Sequence, residues 1–323
     1  MPFTLQRLCG AATALLANCA PLAAVPAAAQ DFPTKSIRLV VGPGPDTTAR
    51  AVGAKLSAVW GQTVVVEQLP GAGGVVAAQT VAKAAPDGYT LLLTTGSYSI
   101  MQAIRPDMKL SLLEDFEPVA QIASLSFVLL AHPGLAANTL PELIKLAKDK
   151  PGTLNCASTG PGTTAHLGCE MLRTYGKVDI VHVPYNGNAP SVTDLIAGRV
   201  HVFFSTGPGL VNVSAGKLKA LAVTGPARMA AAPDVPTVAE AGMPELGFIS
   251  WNGVHAPAGT PKPVIAKLGA ELVKAASLPD IKQTLAVQGF DADPKPAEGF
   301  AAFVAADVGR WAKAVIETGA KAE

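Results

Sequence analysis

Residues 154–167 read LNCASTGPGTTAHL. Leu154 to Ser158 carries the apolar pattern of a buried strand, Gly160-Pro161-Gly162 forces a bend, and Thr163-Thr164 opens a helix. The first N–H groups of that helix have no partner within it. The bend aims them, with the hydroxyls of Ser158, Thr159, Thr163 and Thr164, at one point in front of the positive end of a helix dipole. Such a geometry holds a small anion. Comparable bends lie at residues 42–48, GPGPDTT, and 70–74, PGAGG. Strand, bend and helix together form the unit of a layered α/β fold, so one stretch predicts both architecture and a carboxylate site.

Working outward, short β-branched runs alternate with helical patterns at residues 37–41, 63–67, 89–95, 119–124, 127–131, 154–158, 180–185, 200–205, 218–224 and 248–254. Continuous apolar strands separated by helices predict mostly parallel sheets covered on both faces. These strands are too many for one small sheet with such short connections, and the direct strand pair around 124–126 breaks the alternation. That break reads as a crossover between two lobes, residues 31 to about 132 plus 250–323 and residues 133–249, with a ligand between them. A chain of 323 residues, 49% apolar, supplies two such cores. Thr139-Leu140-Pro141-Glu142 is a capping box ahead of Leu143, Leu146 and Ala147. Beyond Pro261 the pattern is helical, with one extended piece near 290–293, and the last segment buries Phe300, Phe303, Val304, Trp311 and Val315 on one face.

Residues 1–29 carry a single charge, Arg7, then an apolar run and Ala27-Ala28-Ala29, the pattern of a cleaved secretory signal. Asn18, Pro21 and Pro26 interrupt the run before it reaches the roughly 20 apolar residues of a spanning helix. Cys19 offers a lipoprotein-like alternative, but Asn18 before it fits poorly and cleavage after Ala29 is the better reading. Removing Arg7 turns 25 basic residues into 24 against 24 acidic ones. A neutral chain without a basic cluster is not built for nucleic acid. Cys156 and Cys169 stay after processing. In an oxidising compartment they pair or remain two buried thiols, and both readings fit the spacing.

No constellation for catalysis is visible. In PGAGG the third small position of a dinucleotide fingerprint is Val76, and the nearby acid Asp87 lies in a Pro-Asp-Gly turn. Asp46 follows the first bend as a helix cap, without the lysine of a phosphate loop. Ser97 and Ser99 follow a strand without a nucleophile elbow. The five histidines include no i, i+4 pair, so no metal site is expected, and His166 alone lies beside an anion-binding bend. His182 and His201, inside apolar strands, read as buried and satisfied.

Six segments, PGAGG (70–74), APDGYT (85–90), VHVPY (181–185), LAVT (221–224), PDVPTVAEAG (233–242) and APAGTP (256–261), together resemble the Bug family, the extracytoplasmic solute receptors of tripartite tricarboxylate transporters. The resemblance covers the mature chain in order. It implies a type II periplasmic binding protein fold: two doubly wound α/β lobes, a hinge and an interdomain ligand cleft. It also implies a monomeric periplasmic protein that captures a small organic carboxylate, a di- or tricarboxylate or an aromatic acid, and passes it to membrane permease subunits without a cofactor. Carried onto this chain, the contacts fall on Gly42, Gly44, Asp46, Gly73, Gly74 and Ser97 in the first lobe. In the second they fall on Thr159, Thr163, Thr164, His166, Tyr185, Asn188, Ser205 and Thr206.

The chain departs from the family pattern at two places. Its first loop is shortened and lacks an aromatic residue, and Ser205 stands after Phe204 where many members have Asp. Where that acid takes an ammonium in amino-acid-binding members, its loss favours a ligand without one. An exported enzyme on the same scaffold and a receptor serving a sensor kinase are the rival functions.

Overall fold

The computed structural model describes residues 32–42, 46–69 and 74–321. The expected signal segment 1–29 and the candidate contacts Gly44 and Gly73 lie outside them.

Among the described residues the strands form two sheets. In the first, β1 (Ile37–Val41), β2 (Val64–Gln68) and β3 (Thr90–Thr95) run parallel, with β1 central. Beyond β3 lie β10 (Ile249–Pro257), β4 (Phe116–Ser126) and β11 (Asp291–Pro296), each antiparallel to its neighbour. In the second sheet β6 (Leu154–Ser158) runs parallel to both β7 (Ile180–Pro184) and β8 (Val202–Ser205). There β5 (Val128–Ala131) pairs antiparallel with β8 and with β9 (Lys219–Val223). The expected strands are all present, but the sheets are mixed where mostly parallel ones were expected. An apolar run reports burial on both faces and not direction. Direction is set here by the chain's passage between the sheets.

That passage is direct. The chain leaves the first sheet at Ser126 and enters the second at Val128, so β5 belongs to the second sheet although the expected lobe boundary falls after it. It returns through residues 224–248. The two crossings are bonded side by side: the Phe127 N–H donates to Thr224 Oγ1 at 3.0 Å, the Thr224 N–H to Phe127 O at 2.9 Å, and the Phe248 N–H to Thr224 O at 3.0 Å.

Helices cover the sheets: α1 (Asp46–Trp60), α2 (Val75–Ala82), α3 (Gly96–Ile104), α4 (Leu140–Asp149), α5 (Thr164–Gly176), α6 (Asn188–Ile196), α7 (Leu210–Ser214), α8 (Lys262–Ser277), α9 (Pro279–Val287) and α10 (Ala297–Thr318). The expected capping box at α4 forms in half: Thr139 Oγ1 accepts from the Glu142 N–H, whereas Glu142 Oε2 accepts from the N–H of Asn138, one residue before the cap. The last helix serves both cores. Phe300 and Val304 pack with Val40 and Leu92 of the first sheet, whereas Trp311 and Ala314 belong to the core of the second. Phe303 and Val315, expected inside, are only half-buried. Cys156 and Cys169 are joined in a disulfide, Cα atoms 5.8 Å apart, because the first turns of α5 lie back across the strand that precedes them.

Candidate functional site

The bend between β6 and α5 is held by its own polar groups. Gly160 and Gly162 take φ values of 129° and 75°, open to glycine, and these turn the chain back toward the helix. The Gly160 N–H donates to Ser158 Oγ at 3.1 Å, and the Gly162 N–H to His166 Nδ1 at 3.1 Å. Thr163 is the N-cap: its hydroxyl donates to Gly160 O at 2.7 Å and accepts from the His166 N–H at 3.3 Å. Those groups are therefore spent on the loop. Left over are the N–H groups of Thr164 and Ala165, the first two helical residues, which find no acceptor among the described residues.

They open onto a cavity of about 330 Å³ between the sheets. The first sheet and α3 contribute Thr95, Ser97, Ser250 and Asn252, the second sheet with α5 and α6 contributes the 159–165 bend, Asn188, Phe204 and Thr206, and Gln288 and Phe290 add to the lining. Three helices point their N-termini at it. Of these, α3, capped by Thr95, and α6, capped by Gly187, have no side-chain cap hydrogen bond. Leu125, Phe127, Phe204 and Phe290 make an apolar wall, and no charged side chain or histidine lines the cavity among the described residues. Asn252 is 1% exposed and its Nδ2 has no hydrogen-bond partner.

Ser97, Thr159, Thr163, Thr164, Asn188 and Thr206 are thus brought together. The remaining described candidates stand off the cavity for separate reasons. A Cβ on Gly42 would lie 2.8 Å from Gly74 Cα and 2.9 Å from Tyr98 Oη, and the Tyr98 hydroxyl donates to Gly74 O at 3.1 Å. These glycines make room for the protein's own ring. Asp46 pairs with Arg50 at 2.8 Å within α1. The Tyr185 hydroxyl donates to Asp194 at 2.8 Å. Ser205 is buried off the cavity, its hydroxyl 3.3 Å from both Asn188 Oδ1 and Thr206 O, so it touches two of the lining residues. Sequence reasoning missed Asn252 and Ser250, although their i, i+2 spacing in a buried strand marks two polar groups on one face.

Residues 48–320 match the sequence model of the family described as "Tripartite tricarboxylate transporter family receptor". The chain belongs to this receptor family. BugT of Bordetella pertussis is 34% identical over 308 residues, covering 92% of this chain and 94% of BugT. Among solved structures, R. palustris Rpa4515 with adipate is 31% identical with a TM-score of 0.78, covering 90% of this chain and 99% of that one. MatC from Rhodopseudomonas palustris with bound malate is 32% identical with a TM-score of 0.75, covering 88% and 100%. The type II periplasmic binding protein architecture is therefore this receptor's fold.

His166 faces a different cavity of the receptor, about 540 Å³, lined also by Glu170, His182 and residues 319–321. Its ring stacks on His182 with centroids 4.3 Å apart. One ligand atom each of His166, Glu170 and His182 falls within 4.8 Å of the others, a grouping hinted at by the i, i+4 spacing of His166 and Glu170. As arranged, it is a poor metal site. His166 Nδ1 already accepts the Gly162 N–H, which leaves the ring proton on Nε2, and Glu170 is paired with Arg173 at 2.8 Å. His166 is a positioning residue for the bend.

Burial, reinforced by the neighbouring His166 and opposed by Glu170, lowers the pKa of His182 to about 4. Burial alone lowers that of His255 to about 3. Both rings titrate near 6.5 when unfolded, so below that pH unfolding takes up protons. The stability that these two neutral rings contribute is complete above about pH 6.5 and is lost progressively as pH falls toward 3. In urea titrations at about pH 7.5 and 4.5, His182→Gln is expected to lose less stability on acidification than the wild type. Equal losses would remove His182 from the linkage.

Proposed function

We propose that this receptor captures a small organic carboxylate in the periplasm and delivers it, as a monomer, to the membrane permease subunits of a tripartite tricarboxylate transporter. The observation that carries the reading is the pair of N–H groups of Thr164 and Ala165, unclaimed among the described residues, at a cavity to which those residues contribute no charged side chain. A carboxylate brought out of water must replace its lost hydration. Backbone donors at a helix N-terminus do this without a buried cation. The adipate of Rpa4515 and the malate of MatC support the ligand class.

Each sheet with its helices acts as a lobe, and the bonded crossings at Phe127, Thr224 and Phe248 act as the hinge. Ligand that touches both walls stabilises the closed arrangement by the contacts it gains there. Among the described residues the lining offers hydroxyls and amides but no acid, base or activated nucleophile, which supports a receptor over an enzyme. Export by the 1–29 segment agrees with the Cys156–Cys169 disulfide.

The test is titration calorimetry on protein unfolded and refolded to strip bound solute, against succinate, adipate, citrate, benzoate and glutamate. At least one acid without an ammonium is expected to bind one to one and to raise the melting temperature. Binding of glutamate alone, or of none of them, contradicts the reading.

A further inference from the structure

We infer that the backbone contact between Gly207 and Gly289 is the latch that holds the cleft shut, so that this pair sets how long a captured solute is retained. It rests on the two-lobe carboxylate reading above and names where the walls lock. Gly207 follows β8 of the second sheet and the lining residue Thr206. Gly289 sits between the lining residues Gln288 and Phe290, in the turn from α9 to β11, and β11 is an edge strand of the first sheet. The two glycines therefore belong to opposite sides of the cavity, and they meet beside it. A Cβ on Gly207 would lie 2.9 Å from Gly289 Cα and 3.6 Å from Gly289 O.

Gly289 is explained by its own turn. Its φ of 82° is left-handed, its N–H donates to Ala286 O at 2.9 Å and the Phe290 N–H donates to Leu285 O at 3.0 Å, the pattern that ends α9. Gly207 is different. Its φ is not positive, so its turn accepts any L residue, and what demands a bare Cα there is the approach of Gly289. That approach is rigid on both sides, backbone against backbone. Another approach between the walls, where a Cβ on Gly162 would lie 2.6 Å from Met101 Sδ, ends on a flexible thioether that gives way. Phe290 carries the lock inward, since it stands on the first-sheet side of the latch yet packs against the core of the second sheet. A methyl group at 207 props the walls apart at this point and stretches the hydrogen bonds a solute makes to one wall or the other. Solute held from both sides leaves when the walls part, so the effect falls on the dissociation rate.

The experiment measures the release of radiolabelled adipate, and the melting temperature of the ligand-free protein, for wild type and Gly207→Ala. The variant is expected to release adipate about 5- to 100-fold faster. Its ligand-free melting temperature is expected to hold or rise slightly, since the open receptor has no contact to lose and alanine restricts the unfolded chain. Release at the wild-type rate overturns the inference, and so does a lowered ligand-free melting temperature, which makes Gly207 a packing residue of the fold. A second variant, Gly207→Cys with Gly289→Cys, needs no ligand. The two Cα atoms are separated by no more than that 2.9 Å and one carbon–carbon bond, so the thiols bridge when the walls touch and not when they stand apart. Diamide is expected to take two hydrogens from the pair and leave a disulfide, read as loss of thiol labelling. A folded double variant that stays reduced overturns the inference. If the bridge forms but the wild type binds neither adipate nor the other acids, the carboxylate reading falls and the latch stands.

Discussion

Replacing Thr164 by proline is expected to weaken carboxylate binding about 10- to 100-fold with the fold intact, the value of one hydrogen bond to a charged acceptor. Thr164 is the first helical residue after its N-cap, where proline is tolerated because that N–H has no partner in the helix. Thr163 before it is extended, with φ −84° and ψ 162°, a conformation that suits the residue ahead of a proline. The substitution therefore deletes one donor and leaves the helix. Thr164→Val serves as the control, since it removes the hydroxyl and keeps the N–H. Calorimetry on the two variants separates backbone from side chain. If proline binds as tightly as valine, the start of α5 does not hold the ligand.

Asp307→Ala should be the most destabilising single change at the crossings, costing about 3–5 kcal/mol and roughly 6–20 °C in melting temperature. The carboxylate, 3% exposed as a residue, accepts from Trp251 Nε1 at 2.8 Å and from Arg310 at 2.6 Å. Arg310 in turn donates to Gly247 O at 3.3 Å, so one buried acid links the last helix, β10 and the returning crossing. Alanine strands the buried Trp251 N–H and takes the anionic partner from Arg310, whose side chain is 37% exposed. Asp307→Asn keeps an acceptor for Trp251 but loses the charge facing Arg310, and its melting temperature should fall between the two. A melting temperature for the alanine variant within a few degrees of wild type would mean that water or a rearranged Arg310 takes over.

Much of this receptor was legible from local pattern. Strand positions, the α4 N-cap, the late strand near 291 and the unpaired N–H groups at the start of α5 depend on residues within a few positions of one another. Tyr98 shows where that reasoning stops. Its ring occupies the space beside Gly42 and Gly74, and a glycine kept for a neighbouring side chain is indistinguishable in sequence from one kept for a ligand. His166 is a second instance, since it is adjacent to the bend yet turned toward His182 and bonded back to Gly162. Asn252 was missed for the opposite reason. An isolated amide in an apolar strand carries no motif, and only its unmet hydrogen bond in the folded chain marks it.

By itself the sequence determined the layered α/β class, the order of strands and helices, and the stretch whose backbone donors are left over, because hydrophobic period and capping are short-range properties. Only the tertiary structure decided strand direction, the pairing of Cys156 with Cys169, and which polar groups share one cavity. Those depend on which residues distant in the chain meet in space, and packing of the whole chain, rather than any local preference, selects them.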